Sequence, residues 1–183
     1  MAQTVNYVSA AKPAVGGAVS VGPTTATLPT SASGAVTGFT SLGYISEDGL
    51  TNSNTPESEE VKAWGGDIVL TPLTGKTDTF SFTLIEALNL EVLKVIFGSS
   101  NVTGTALTAG YTINAKAAEM EAHAWVIDMI LRNNVAKRVV IPNGVISEIG
   151  EVTYADGEAI GYEITVTAFP NSSGDTHYEY IKG

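Results

Sequence analysis

The sequence predicts a mainly β, α+β protein: a β-sandwich or barrel with one flanking α-helix at about Leu84–Phe97. Two strands and the helix carry that prediction. Thr79–Ile85 alternates strictly, with Phe80, Phe82 and Leu84 on one side and Thr79, Ser81 and Thr83 on the other. Glu158–Phe169 alternates again, with Tyr162, Ile164, Val166 and Ala168 opposed to Glu163, Thr165 and Thr167. Between them, Leu90, Leu93 and Phe97 form a helical apolar stripe that Val92, Val95 and Ile96 widen. Thr83 and Glu86 have capping-box spacing and Gly98 suits the helix C-terminus. So apolar a helix must be nearly enclosed, and the sheet face bearing Phe80 and Phe82 is its expected cover.

The chain divides into an N-terminal arm with the first short strands (1–38), a β domain with the helix (39–170) and a C-terminal tail (171–183). The arm is rich in Ala, Gly, Ser, Thr and Pro and nearly free of charge. Disordered tails are usually charged, so this composition fits an arm ordered against neighbouring subunits. Val15–Val21 reads as a strand broken by Gly22-Pro23, and Ala26–Thr30 as a second extended piece. Phe39–Ile45 reads as a strand leading into a Ser46–Gly49 turn. Asn52–Glu60, polar and containing Pro56, reads as an exposed loop. Val61–Trp64 and Asp67–Leu70 are short β segments around a Gly65-Gly66 corner.

Glu119–Arg132 supports two readings. As a helix it aligns Met120, Ala124, Ile127 and Leu131, and its propensities favour that form. As a strand it puts His123, Trp125, Ile127, Met129 and Leu131 on one face. Beyond it, Val135–Ile141 reads as a strand closed by a Pro142-Asn143-Gly144 turn. Val145–Tyr154 continues the meander, Asp156-Gly157 supplies a hairpin turn, and Pro170 stops the last strand. The polar tail carries Tyr178 and Tyr180, which suit docking on a neighbour.

With 183 residues the chain fits one domain with a substantial core. Only 15% of residues are charged, against about a quarter in an ordinary domain. Either partners cover much of the surface, or hydroxyls solvate it. The net charge of −10 argues against sequence-specific or wrapping DNA binding, which needs a basic face to neutralise phosphates. It is compatible with a duct that repels them, and equally with acid that only keeps the protein soluble. The absence of cysteine excludes disulfides, Cys-ligated zinc and a thiol nucleophile. The first residues lack the pattern of a signal peptide, and no uncharged apolar run approaches the roughly 18 residues of a membrane helix, so no membrane insertion is expected.

No catalytic, cofactor-binding or metal-ligating residue stands out, and a non-enzymatic role is expected. The two histidines, His123 and His177, have no second ligand at metal spacing. The chain lacks a Gly-x-Ser-x-Gly elbow, a P-loop and a dinucleotide fingerprint. Its carboxylates sit mostly in turns, where solvated charge explains them. Trp64 and Trp125 suit core or interface anchors.

The order LGYISEDGL, EEVKAWGGD and TFSFTLIEALNLEVLKVIFG between Phe39 and Gly98, followed by VTYADGE (152–158) and IGYE (160–163), resembles the major tail (tail tube) proteins of long-tailed bacteriophages. The resemblance covers most of the chain after about Gly17. It implies a tail-tube β-sandwich or barrel core, in which Glu119–Arg132 is a strand. It implies hexameric rings stacked into a hollow tube, with each subunit giving strands to a continuous barrel around the lumen. Double-stranded DNA would pass non-specifically through that lumen. The implied partners are further copies of the chain, a tape measure protein, and tail terminator and tail-tip proteins. The implied location is the virion tail, after synthesis in the host cytoplasm. Glu119, Glu121, Glu163, Thr165 and Thr167 are the candidate lumen residues. Glu57, Glu59, Glu60, Trp64, Tyr178 and Tyr180 are candidate inter-subunit contacts, the glutamates because the family's long loop reaches the next ring. A tube protein of a type VI secretion or contractile injection system, and a monomeric β-sandwich that binds a small ligand, are the alternative readings.

Overall fold

A computed structural model describes residues 5–183. Met1–Thr4 of the expected arm lie outside the described residues. The strands are β1 (Lys12–Pro13), β2 (Val19–Pro23), β3 (Thr40–Ser41), β4 (Ile45–Ser58), β5 (Val61–Lys62), β6 (Ile68–Leu70), β7 (Leu73–Leu84), β8 (Val102–Thr103), β9 (Thr112–Ile113), β10 (Ala122–Ile130), β11 (Ala136–Ile149), β12 (Tyr162–Ala168) and β13 (Tyr178–Lys182). The α-helix, α1, spans Leu90–Phe97. Nine strands form one sheet in the order β3-β2-β10-β11-β12-β7-β4, with β1 also on β10 and β13 also on β11. All its pairings are antiparallel. The sheet curls sandwich-like and does not close into a barrel.

One face of this sheet holds the core. Phe80, Phe82 and Leu84 of β7 meet Tyr162, Ile164 and Val166 of β12, Trp125 and Ile127 of β10, and Val92, Leu93, Val95 and Ile96 of α1. Phe82 lies edge-on to Trp125, and Phe97 edge-on to Tyr162. The alternation read from Thr79–Ile85 and from Tyr162–Ala168 is the observed burial pattern of both strands. No residue of α1 is exposed. The helix nevertheless begins later than expected, because β7 keeps its ladder through Leu84, which faces both Tyr162 and Ile45. Asn89 is the N-cap, its side chain accepting from the Glu91 amide at 3.0 Å. Glu86, expected in a capping box with Thr83, instead accepts from the Tyr44 amide and the Asn89 side chain, each at 2.9 Å. Its carboxylate occupies the space that a side chain at Gly43 would fill.

Within Glu119–Arg132 the strand reading holds over Ala122–Ile130, β10, which is flanked on both edges by β11 and by β1 and β2, while Arg132 begins a 3-10 turn. Helix propensity loses here because Ala124, Trp125, Val126 and Ile127 are all buried, which needs cover on two faces. The second cover is the segment after β2. Arg138, 4% exposed, grips Asp128 through Nε and Nη2 and donates to the carbonyls of Ser31 and Gly34. The 31–34 stretch is thereby held across β10 and β11.

Several local expectations are corrected. β2 runs through Gly22-Pro23, where Pro23 sits at the strand end. Ala26–Thr30 is not a strand, and Phe39–Ile45 is interrupted at 42–44. Ser46–Gly49 is a bulge inside β4, four residues against the single residue between Phe82 and Leu84. Pro142-Asn143-Gly144 is not a turn: β11 continues through it with a register shift against β10. Gly144 is needed for space, since a Cβ there would meet Trp125 and Val166 at 2.8 Å. Asp156-Gly157 does turn, but within a long connection, not a tight hairpin. The end of the polar tail is strand β13, paired along Ala136–Val140 of β11.

Candidate functional site: a hydroxyl-rich sheet face and a projecting arm

Where β4, β7, β12 and the distal half of β11 lie side by side, the face opposite the core has no covering layer among the described residues. Register fixes its side chains. Thr51 and Ser53 of β4 lie opposite Ser81 and Thr79 of β7, and Thr83, Ser81 and Thr79 lie opposite Glu163, Thr165 and Thr167 of β12. On β11 a bulge between Ile146 and Glu148 turns Ser147 outward as well as Glu148. The hydroxyls are knitted together: Ser81 with Thr165 at 3.0 Å, Thr167 donating to Ser147 at 2.8 Å, and Ser147 donating to the Thr165 carbonyl at 3.1 Å. The charges at these positions are Glu148 and Glu163; none is Lys or Arg.

Both lateral margins of this four-stranded section are open among the described residues. β4 pairs with β7 alone, and Ile146–Ile149 of β11 pair with β12 alone. Unpaired edges are templates for another chain.

β4 and β7 continue past the end of β12 as a two-stranded arm. Asn52–Glu60, expected as a loop, is mostly strand here, paired from Asn52↔Phe80 to Ser58↔Leu73. β5 and β6 extend the arm to a turn at Ala63–Gly66, where the Ala63 amide meets the Asp67 carbonyl at 2.8 Å. Trp64 stands at the tip fully in solvent. Ile68, Val69, Leu70 and Leu73 beside it are each more than half exposed. Exposed apolar patches of this kind are common on surfaces that bind a partner. Glu57, Glu59 and Glu60 line the arm, with Glu57 accepting from Thr77 at 2.6 Å and Glu60 paired to Lys62 at 3.4 Å.

The five candidate lumen residues fall into two places. Glu163, Thr165 and Thr167 lie together on the hydroxyl-rich face. Glu119 and Glu121 lie instead beside the C-terminal end of α1, on the core side of the sheet, around a shallow cleft with Phe97, Asn101 and Met120. Glu121 accepts from Ser99 at 2.8 Å and lies 4.0 Å from His123 Nε2. Burial pushes the His123 imidazole below its ordinary range, and Glu121 partly offsets this. Tyr178 and Tyr180 stack on each other in β13, at half-buried positions.

Sequence reading missed a buried cluster at the root of the arm. Asp78, 1% exposed, accepts from Asn52 at 2.9 Å, Thr176 at 2.5 Å and His177 Nδ1 at 2.6 Å. Burial opposes its charge, but these hydrogen bonds and the imidazole prevail and hold the carboxyl below its ordinary range. Its partners lie up to 99 residues away in the chain, so no local spacing announces it. Among the described residues no group of three or more His, Asp or Glu is placed to hold a metal, and no helix is long and apolar enough to cross a membrane.

A search of curated proteins finds no match to the chain. A family model described as phage tail tube protein matches residues 4–182, nearly the whole length. The chain therefore belongs to the phage tail tube protein family and is a structural component of the phage tail.

Proposed function

We propose that this chain assembles as hexameric rings stacked into the tail tube of a long-tailed phage, a conduit for double-stranded DNA. The observation that carries this reading is the hydroxyl-rich, four-stranded section with two open edges. Lateral pairing of the β4 edge of one copy with the distal β11 edge of the next would continue the sheet around a ring. Six copies give about 24 strands, beyond the 16–18 that enclose an aqueous channel in porins. At about 4.8 Å per strand that circumference corresponds to about 37 Å of diameter before strand tilt widens it.

The face suits a lumen because it has no cation to grip phosphate with: half of its hydroxyls are bonded to each other and its charges are negative. Glu148, Glu163, Ser147, Thr165 and Thr167 are the lumen residues of this reading, and Glu119 and Glu121 are no longer among them. The arm, with Trp64 at its tip, reaches to the adjacent ring and supplies the axial contact. That contact is head-to-tail and propagates, so tube length is set from outside by a tape measure protein. Terminator and tail-tip proteins end the stack.

Electron microscopy of the purified, concentrated protein tests this. Hollow tubes or six-fold rings with β12 facing inward are the expected result. A compact monomer that also fails to elongate on a tail-tip nucleus overturns the reading.

A further inference from the structure

The arm has no packing of its own: beyond Asn52 and Asp78 its strands carry almost only exposed residues. A two-stranded ribbon this bare takes its direction from its root. The root lies where β12 stops pairing with β7, at Thr79↔Thr167. The next residue of β7 towards the tip is Asp78, and the space beside it is filled by Thr176 and His177, which lead into β13. The His177 ring packs edge-on against Phe80 at 5.2 Å between centroids. The carboxylate thus ties three segments together: Asn52 on β4, its own strand β7, and the lead-in to the C-terminal strand.

We infer that the Asp78–Asn52–Thr176–His177 cluster is a latch that couples the arm to the C-terminal strand, so that freeing β13 loosens the arm and fixing the arm holds β13 in place. The coupling is reciprocal because one carboxylate serves both sides: a bond lost on either side leaves it buried and under-satisfied for the other. β13 suits the role. It is five residues long, pairs among the described residues with β11 alone, and exposes Ile181; beyond its ladder and the latch it is held by side-chain contacts at the surface, Glu179 to Lys137 at 2.9 Å and Lys182 to Ser33 at 3.2 Å. This inference does not depend on tube formation, since the cluster lies within one chain.

Amide hydrogen exchange on the full chain, dilute enough to remain unassembled, tests it. Asp78→Asn sets an amide NH2 against the Asn52 NH2 whenever its oxygen serves Thr176 and His177. Exchange is expected to rise about tenfold or more both in the arm (53–58 and 73–77) and in β13 (178–182), as for loss of a hydrogen bond to a charged group. Amides paired between β7 and β12 stay protected. The swap Asn52→Asp with Asp78→Asn restores the hydrogen bond between positions 52 and 78, though not the one that Asn52 donates to the Thr79 carbonyl at 3.0 Å, and returns both regions part of the way to the parent rates. His177→Ala changes only the C-terminal side, yet is expected to speed exchange in the arm; it also carries the test if Asp78→Asn does not fold. Loosening of β13 with no change in the arm overturns the coupling. So does exchange that rises equally across the β7–β12 pairs, which would report general destabilisation.

Discussion

At the residue scale, the positions that matter most are those where a neighbour leaves no room or a buried charge needs all its donors. Gly144 passes under Trp125, whose Nε1 donates to the Gly144 carbonyl at 3.1 Å. Gly144→Ala is expected to cost about 1–3 kcal/mol, the range for overpacking a filled core, read by chemical denaturation of the unassembled chain. A cost under about 0.5 kcal/mol would mean that the Trp125 ring can shift aside. The titrating groups act at different pH values but in the same direction. The depressed His123 imidazole makes the unfolded state the better proton binder once pH falls below about 6.5, so stability declines from there. Asp78 contributes stability that is full above about pH 3.9 and is lost as pH falls through its lowered folded value. Thermal midpoints across pH 3–8 are therefore expected to fall in two phases. His123→Gln should remove the upper phase and leave the lower; an upper phase that survives assigns it to another group.

At the element scale, the arm of the proposed tube is expected to separate folding from assembly. Trp64 touches the rest of the chain so little that Trp64→Ala is expected to change unfolding free energy by no more than about 0.5 kcal/mol. An interface aromatic of hot-spot character is worth about 2 kcal/mol or more, so the concentration needed for tube growth should rise about thirtyfold, read by sedimentation. Unchanged growth would remove the tip from the axial contact. The elements also divide by how readable they were. β7, α1 and β12 were legible because each has one buried face, and a period of two or 3.6 follows directly from that. β10 was not, because a strand covered on both faces loses its alternation and Ala, Met and Glu then argue for a helix. The arm read as a loop because a ribbon wet on both faces carries no apolar period, although its tip residues and the Gly65-Gly66 turn were visible. The Ser46–Gly49 and Pro142–Gly144 bulges share their residue types with turns, and only the partner strand's register distinguishes them. Of the candidate site, the outward face of β12 was legible from alternation. Its extension through Thr51, Ser53, Ser147 and Glu148 needed the strand order, which no local pattern encodes.

At the scale of the whole molecule, charge is distributed unevenly. The lysines and arginines sit away from the hydroxyl-rich face: Arg138 and Lys137 on the upper part of β11, Lys94 on the helix and Lys62 on the arm. In the proposed tube, DNA slides past Glu163 without a counter-charge to hold it. Glu163→Lys would put one cation per subunit on that path, and a ring of six would bind phosphates and release counterions. Glu163 is exposed and has no ion pair or side-chain hydrogen bond among the described residues, so rings and tubes should form as before. DNA ejection through tubes of the lysine variant is expected to be slower than through the parent at low ionic strength. The deficit should shrink as salt screens and competes for phosphate. Glu163→Gln, which removes the acid without adding a cation, separates loss of repulsion from gain of attraction and should lie much nearer the parent. An ejection rate unchanged in assembled Glu163→Lys tubes would mean that β12 does not face the DNA, and the lumen would have to be sought on another face of the sheet.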